Sequence, residues 1–323
     1  MKKVTKVLVT GCAGFIGSHL VDALLKDGFF VIGVDNFNDY YDPKIKRVNL
    51  EDAIKNKSFR LFEADILDYD KIRNVFKNTK PQILIHLAAR VGVRPSIEDP
   101  ELYNDVNVQG TVNLLTLSVE YKISKFIFGS SSSVYGNSKN IPFPEYDPCN
   151  NIVSPYGSSK RAAEFFIESF WHTYGLKSVI LRFFTVYGPR GRIDMAPALF
   201  TKAILEGRMI SQFGDGSSSR DYTYIDDIVR GILMAIEKDL NFKILNLGNS
   251  SPLSLSDFIS IIEKITGKKA IRKIVRKQQG DMENTWASNK KATNVLGWQP
   301  NINTETGLKR YVEWIKKRLF RTF

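Results

Sequence analysis

The fold is decided by residues 6–17, which read KVLVTGCAGFIG. The first five of them are a short, largely β-branched and apolar run that is typical of a buried strand. Three glycines follow at a G-x-x-G-x-x-G spacing, Gly11, Gly14 and Gly17. Glycine allows the backbone angles of a tight strand-to-helix turn and lets a phosphate approach the helix N-terminus, which attracts negative charge. The stretch therefore predicts a strand, a nucleotide-binding turn and a helix over 14–25.

Strand and helix patterns alternate after this turn. Strands are predicted at 29–34, near 60–62, and at 83–86, 125–129, 180–184 and 244–247, with helices near 71–77 and over about 102–121. Such alternation favours βαβ units. We therefore predict the α/β class, with a Rossmann-type doubly wound parallel sheet and a smaller, discontinuous α/β lobe for a substrate. The dinucleotide-binding domain is expected at 1–182 with a returning strand near 244–247, and the substrate lobe mainly at 183–323.

The composition indicates a folded protein and bears on the charge of its ligands. The 323 residues are 43% hydrophobic and 25% charged, which is ordinary for globular proteins and argues against disorder. The net charge of +12 favours acidic ligands, although a lysine-rich solvated surface explains it more simply. Basic residues are not interleaved with aromatic ones and no stretch is long enough to span a bilayer, so neither a nucleic-acid nor a membrane partner is predicted. Cys12 and Cys149 stand far apart, which favours the cytoplasm and predicts no disulfide and no metal site.

An acidic residue at the end of the second predicted strand bears on the choice of cofactor. Asp35 lies eighteen residues beyond Gly17. A carboxylate in this place accepts hydrogen bonds from ribose hydroxyls and repels a 2′-phosphate, which favours NAD over NADP. The alternative is that Asp35 is a turn residue, since aspartate is common in turns.

Tyr156 and Lys160 are the candidates for a chemical step. Four positions apart, they share one face if their segment is helical, although this spacing also arises by chance. A tyrosine with its ordinary pKa of about 10 is a poor base, but a nearby lysine cation and a positively charged nicotinamide favour the phenolate. Tyr156 would then take a proton from a sugar hydroxyl while hydride leaves the same carbon. Upstream, the serine run 130–133 is either a polar loop or the source of a second hydroxyl that contacts the substrate.

These motifs, in this order, resemble those of the extended short-chain dehydrogenases/reductases, in their nucleotide-sugar epimerase and dehydratase group. The resemblance runs almost from end to end, through the glycine turn, Asp35, His86-Leu87-Ala88-Ala89, the serine run, Tyr156 with Lys160, Arg220-Asp221-Tyr222 and Gly280-Asp281. It implies catalysis by Ser131, Tyr156 and Lys160, and a homodimer. It implies NAD bound by Gly11, Gly14, Phe15, Ile16, Gly17, Asp35, Asn36, Asp65, Ile66, Leu87, Ala88, Ala89, Tyr156 and Lys160.

Two serines bear on which reaction of this group the chain carries out. The 4,6-dehydratases of the group carry Asp and Glu directly after the catalytic hydroxyl residue, and its decarboxylases carry Glu at the second of these positions. Ser132 and Ser133 occupy the two positions here. The resemblance therefore implies epimerisation at sugar carbon 4 through a transient 4-keto intermediate, with NAD taking and returning the hydride.

The substrate that the resemblance implies is UDP-glucuronate, converted to UDP-galacturonate. Stretches 35–43, 92–94 and 182–196 are most similar to the UDP-glucuronate 4-epimerases, with Ile193 in place of their proline. A guanidinium pairs well with a hexuronate carboxylate, so Arg192, helped by Ser133, is the candidate for that contact; the alternatives are that it binds phosphate or a loop carbonyl. The substrate-binding residues implied are Arg94, Ser132, Ser133, Thr185, Arg192, Arg220, Gln278 and Asp281, with Arg220 on the diphosphate.

Other features favour other substrates. Residues 214–220 are more similar to the UDP-glucose and UDP-N-acetylhexosamine epimerases, and a small side chain at Thr285 leaves room for an N-acetyl group. Arg90, Ser288 and Gln278 also depart from the residues usual among the relatives. The alternatives are therefore a UDP-glucose or UDP-N-acetylglucosamine 4-epimerase and, from another class, a redox-silent NAD-binding sensor or nucleic-acid partner.

Overall fold

A seven-stranded parallel sheet forms the centre of the computed structural model, which describes residues 4–276 and 282–319. Its strands, from edge to edge, are β11 (Phe242–Leu247), β6 (Ser178–Phe183), β5 (Lys125–Ser131), β4 (Ile83–His86), β1 (Lys6–Thr10), β2 (Phe30–Asp35) and β3 (Phe59–Glu63). The order reverses direction between β1 and β4, which opens a crevice at the carboxyl ends of these strands. The predicted Rossmann-type sheet is confirmed.

The two faces of the sheet are buried under helices because its strands alternate their apolar side chains. Val7 and Val9 of β1 belong to one core and Leu8 to the other, and all three are fully buried. The helices of the first core include α1 (Phe15–Lys26) and α10 (Ile225–Glu237), and those of the second include α4 (Tyr69–Thr79), α7 (Gly110–Glu120) and α8 (Pro155–Tyr174). The sheet is therefore doubly wound, as predicted.

The segment predicted as one helix over 102–121 is helical but not uniform. It consists of α6 (Pro100–Asn104), a π-helical turn (Asp105–Gln109) and α7. The π turn carries Asn107, whose side chain donates to Ser159 Oγ at 2.9 Å and bonds to the Arg90 backbone. These contacts with distant residues give a physical reason for the local widening, which apolar periodicity does not reveal.

The remaining elements are short strands and helices, most of them after residue 183. The helices are α2 (Pro43–Asn49), α3 (Glu51–Ile54), α5 (Val93–Glu98), α9 (Ala196–Glu206), α11 (Leu255–Thr266), α12 (Lys290–Leu296) and α13 (Thr304–Leu319). Three two-stranded sheets pair β7 (Thr185–Tyr187) with β10 (Tyr222–Tyr224), β8 (Met209–Phe213) with β13 (Ile271–Val275), and β9 (Ser219–Arg220) with β12 (Leu253–Ser254). The apolar side of α13, including Leu308 and Tyr311, is buried against α9 and α11. Among the described residues, no helix has the length and apolar character that crossing a bilayer requires.

Candidate active site

The glycine turn lies at the carboxyl end of β1. Gly11 has a φ of +70°, and a Cβ there would lie 2.7 Å from the Ala88 backbone nitrogen. A Cβ on Gly17 would lie 2.0 Å from the Gly11 carbonyl oxygen, so both positions require glycine. The residue before α1 is Gly14, which has no side chain to cap the first helical turn. No side chain at this position therefore competes with a diphosphate for the first backbone N–H groups of α1.

Asp35 ties the glycine turn to the end of β2. Its carboxylate accepts hydrogen bonds from the backbone N–H groups of Ala13, at 3.1 Å, and Phe37, at 2.9 Å. Burial raises the pKa of Asp35, while the charge of Lys46 and the two N–H groups act against this rise. The predicted ribose-binding carboxylate thus also holds the backbone of the phosphate-binding turn.

Lys46 is a candidate cofactor contact that the sequence reasoning missed. Its side chain is 6% exposed, and its ammonium lies 3.9 Å from the Asp35 carboxylate and donates to Asn38 Oδ1 at 2.9 Å. Burial lowers the pKa of Lys46, and the charge of Asp35 opposes that shift. Because an ammonium has three donors, a ligand hydroxyl at the end of β2 would meet one of them. The sequence signal is weak, since Lys46 lies in the short helix α2, eleven residues after Asp35.

Ser131, Tyr156 and Lys160 meet at the carboxyl end of β5. Ser131 ends this strand, Tyr156 lies in the first turn of α8, and Lys160 follows one turn later. The Lys160 ammonium donates to the Gly129 carbonyl oxygen at 2.8 Å. The Tyr156 backbone N–H donates to Ser96 Oγ at 3.1 Å, which holds the start of the helix. The structure therefore places the phenol and the ammonium on one helical face, beside the serine run.

Burial governs the protonation of this tyrosine and lysine. It raises the pKa of Tyr156, although a hydrogen bond with Ser131 and the charge of Arg192 act in the opposite direction. Burial also lowers the pKa of Lys160 to about 7, against the attraction of Glu164. Arg192 is a cation whose effect on Tyr156 the sequence reasoning did not consider, and its charge acts to lower the pKa of this tyrosine.

A buried ion-pair network lies behind Lys160. Glu164, one turn further along α8, accepts from Arg182 Nε at 3.0 Å and from Nη2 at 2.8 Å. Ser130 donates to the same carboxylate at 2.6 Å. Ser130 and Arg182 are directly paired residues of the neighbouring strands β5 and β6. The network therefore joins the helix that carries Tyr156 and Lys160 to two strands of the sheet.

Arg192 lies in the turn before α9, where it contacts two other side chains. Its Nε donates to Asp194 Oδ1 at 3.0 Å, and its Nη2 donates to Asp194 Oδ2 at 2.5 Å and to the Tyr40 hydroxyl at 3.0 Å. The Tyr40 ring faces the guanidinium at 5.0 Å. Burial disfavours the charged form of Asp194, but hydrogen bonding with Arg192 holds the pKa of Asp194 below its ordinary value. A loop carbonyl, considered from the sequence, is not among the partners in these hydrogen bonds.

Three other residues that the sequence analysis linked to the substrate line the same cleft as Arg192. The Arg94 guanidinium stands over the Phe213 ring at 4.6 Å. Arg220 donates to the Glu283 carbonyl oxygen at 3.1 Å. Thr285 is buried, and its hydroxyl accepts from the Asp221 backbone N–H at 3.0 Å. Thr285 therefore presents a small side chain that is fixed by the backbone of the Arg220 segment.

One cleft of about 660 Å³ lies at the reversal of strand order. The predicted site residues that it brings together are Gly11, Gly14, Phe15, Ile16, Gly17, Asp35, Asn36, Asp65, Ile66, Leu87, Ala88, Ala89, Arg94, Ser131, Ser132, Ser133, Tyr156, Lys160, Thr185, Arg192 and Arg220. Gln278 and Asp281 lie outside the described residues. The cleft also includes Tyr40, Lys46 and Asp194, which the sequence reasoning had not proposed as site residues.

A glycine-rich turn at the switch point of a Rossmann sheet, with a serine, a tyrosine and a lysine beside it, is the arrangement of a short-chain dehydrogenase/reductase. A family model described as GDP-mannose 4,6 dehydratase matches residues 8–311, and the chain belongs to this family.

The proteins similar to this chain include sugar-nucleotide epimerases. A UDP-glucuronate 4-epimerase of Thermodesulfobacterium geofontis is 42% identical, over 97% of this chain and 96% of the relative. UDP-glucuronic acid 4-epimerase from Bacillus cereus, in a crystal structure in complex with UDP-glucuronic acid and NAD, is 37% identical in sequence, with a TM-score of 0.89. The match covers 97% of this chain and 100% of that chain. UDP-glucose 4-epimerase from Thermotoga maritima, in a crystal structure with UDP-glucose, is 35% identical in sequence, with a TM-score of 0.91. The match covers 98% of this chain and 100% of that chain.

Proposed function

We propose that this chain is a NAD-dependent UDP-sugar 4-epimerase that prefers UDP-glucuronate and converts it to UDP-galacturonate through a transient 4-keto sugar. The observation that carries the proposal is that Ser131, Tyr156 and Lys160 line the same cleft as the glycine turn. The similarity to epimerases of UDP-glucuronate and UDP-glucose over nearly the whole chain supports the reaction class.

Tyr156 is assigned the proton transfers. When bound, NAD supplies the hydride acceptor and donor and a positive charge that favours the phenolate. The Tyr156 phenolate takes the proton of the sugar C4 hydroxyl as the hydride leaves C4, and the phenol returns this proton to the ketone oxygen after the sugar has turned over. Ser131 hydrogen-bonds the same oxygen, and Lys160 holds the ribose beside the tyrosine. The net redox change is zero, since one hydride leaves and one returns.

The side chains next to Ser131 favour epimerisation over dehydration. Removal of water across sugar carbons 5 and 6 needs an acid and a base close to the sugar. Ser132 and Ser133 stand at the two positions concerned, and both line the cleft. The family model is described as a GDP-mannose 4,6 dehydratase, but this description does not assign dehydration to this chain.

The cofactor is assigned to the end of the cleft that contains the glycine turn. NAD would contact Gly11, Gly14, Phe15, Ile16, Gly17, Asp35, Asn36, Asp65, Ile66, Leu87, Ala88 and Ala89, together with Tyr156 and Lys160. The Asn36 amide donates to Asp65 at 2.7 Å, so these two form a polar rim at this end. We assign residues 1–182 with the strand near 244–247 to the NAD-binding domain, and most of 183–323 to the substrate lobe.

The sugar nucleotide is assigned to the part of the cleft away from the glycine turn. Arg220 would grip the diphosphate, Arg192 with Ser133 would pair with the hexuronate carboxylate, and Arg94, Ser132, Thr185, Gln278 and Asp281 complete the proposed set. UDP-glucose and UDP-N-acetylglucosamine are the alternative substrates. The small Thr285 side chain in the cleft favours the N-acetyl sugar among them.

A homodimer in the cytoplasm is the proposed state of the protein. Its support is a pair of large apolar side chains on the surface of α8, where Phe165 is 54% and Phe166 is 42% exposed. Cys12 and Cys149 are both free and buried, which fits a reducing compartment.

The decisive experiment incubates the purified protein separately with UDP-glucuronate, UDP-glucose and UDP-N-acetylglucosamine and resolves the epimers. We expect the fastest conversion for UDP-glucuronate. The Tyr156→Phe variant should bind NAD normally but lose turnover by about 100-fold or more. Retained turnover in this variant, or no epimer from any of the three sugars in the parent protein, refutes the proposal and favours a redox-silent binding protein.

A further inference from the structure

The guanidinium of Arg192 has only part of its bonding capacity left for a ligand. An arginine has five N–H donors, one on Nε and two on each Nη nitrogen. The Nε donor and one Nη2 donor are directed to the two carboxylate oxygens of Asp194, and Nη2 also donates to the Tyr40 hydroxyl. These hydrogen bonds therefore use the Nε donor and both Nη2 donors, and they do not use the two donors of Nη1.

This arrangement conflicts with two-point binding of a second carboxylate. A planar guanidinium presents a carboxylate with two parallel donors along either its Nε/Nη2 or its Nη1/Nη2 edge. Both edges use a hydrogen on Nη2. Asp194 occupies the first edge with both oxygens, and Tyr40 accepts the Nη2 donor needed for the second. A hexuronate carboxylate thus reaches two-point geometry only if one of these partners gives way.

The exposures of the two charged side chains indicate which partner can leave. The Arg192 side chain is 16% exposed, whereas that of Asp194 is 47% exposed. A displaced Asp194 carboxylate gives up its hydrogen bond with Tyr40 as well as its pair with Arg192, but it can turn into water without burial of its charge. Without an anionic partner, by contrast, the largely buried Arg192 cation would be unpaired, which is unfavourable.

We propose that Asp194 is a built-in competitor of the substrate carboxylate. It neutralises Arg192 in the free protein, and a hexuronate must displace it or share the guanidinium with it. A neutral hexose leaves the Asp194–Arg192 pair intact. Asp194 therefore narrows the difference in affinity between uronate and neutral sugar nucleotides, and is a specificity-determining residue. The inference rests on the proposed assignment of Arg192 to the uronate carboxylate.

The test is calorimetric binding of UDP-glucuronate and UDP-glucose to the NAD-loaded parent protein and to its Asp194→Asn variant. Asparagine keeps the shape of the side chain and removes its charge. We expect UDP-glucuronate to bind about fivefold more tightly to the variant, a change of the size that a partly exposed ion pair contributes, with UDP-glucose unchanged. The gain should shrink as salt is raised, because salt screens exposed charges.

The matched control is Asp239→Asn, which removes one carboxylate that is 83% exposed and pairs with Lys177, outside the cleft. It changes the net charge equally and should leave both affinities unchanged. Weaker or unaltered UDP-glucuronate binding by an Asp194→Asn variant that keeps the parent circular dichroism spectrum and NAD affinity overturns the inference and makes Asp194 a positioning residue for Arg192. A parent protein that epimerises UDP-glucose but neither binds nor epimerises UDP-glucuronate instead refutes the uronate specificity, by a measurement that involves no variant.

Discussion

Glu164 of α8 and Arg182 of β6 form a two-point ion pair in which the side chains are 0% and 1% exposed. Lys160 lies one helical turn before Glu164, and its charged form is favoured by that carboxylate. Arg161 Nη1 also donates to Glu164, at 2.8 Å. Buried charges that pair in this way contribute little net stability, but removal of the carboxylate leaves uncompensated charge inside the protein. The pair therefore makes the position of α8, which carries Tyr156 and Lys160, sensitive to a single substitution at a residue outside the cleft.

Glu164→Gln should lower the free energy of unfolding by about 3–5 kcal/mol, because Arg182 loses its buried counterion. Urea denaturation followed by circular dichroism measures the change. Glu168→Gln, one turn further along the same helix and less buried, serves as the control and should cost far less. Equal losses in the two variants would mean that the buried pair has no special role.

Lys160 should make stability depend on pH. Its pKa is about 7 in the folded protein, against an ordinary value of 10.5. Between these values the unfolded chain binds more protons than the folded one, so the free energy of unfolding rises with pH across this window, by up to about 1.4 kcal/mol per pH unit. The destabilisation is complete below pH 7 and absent above 10.5. Denaturation curves of the parent and of Lys160→Met, taken between these limits, should diverge; parallel curves contradict the assignment.

Lys46→Met should weaken NAD binding by about tenfold, because the lost donor is charged and buried beside the proposed ribose site. Calorimetric titration with NAD gives the affinity directly and needs no turnover. The control is Lys44→Met, which removes an exposed lysine from the same helix. An unchanged affinity in Lys46→Met would restrict this lysine to its contacts with Asp35 and Asn38.

Arg192→Ala should reduce kcat/KM for UDP-glucuronate by about 10- to 100-fold, the range expected for loss of a charged hydrogen-bonded contact, and that for UDP-glucose much less. Initial rates with both substrates provide the comparison. Equal losses for the two sugars would move Arg192 from the carboxylate to a general role, such as its effect on the pKa of Tyr156.

The sequence predicts those parts of the site whose chemistry is local. The glycine turn is recognisable because Gly11 has a positive φ and Gly17 packs against the Gly11 carbonyl oxygen within the same turn. Tyr156 and Lys160 are recognisable because one helix carries both. The reaction class came from the resemblance, since the spacing of two residues does not identify a substrate.

The features that the sequence did not predict depend on contacts between distant segments. Tyr40 and Arg192 are 152 positions apart, and Glu164 meets Arg182 from a different element. No periodicity marks either pair, because each arises only when the sheet has brought its elements together. The π turn that carries Asn107 belongs to the same category.

The strand β11 constrains how proteins with this architecture can diversify. The chain builds α9, β8 and α10 before it returns to lay β11 beside β6, in register from Phe242 with Ser178 to Leu247 with Phe183. A fragment cut after residue 182 would leave β6 with a bare hydrogen-bonding edge, which invites self-association. No single break in the chain separates the sheet from the elements that follow β6. New sugar preferences are thus expected to evolve by changes within surface loops, and not by recombination of interchangeable modules.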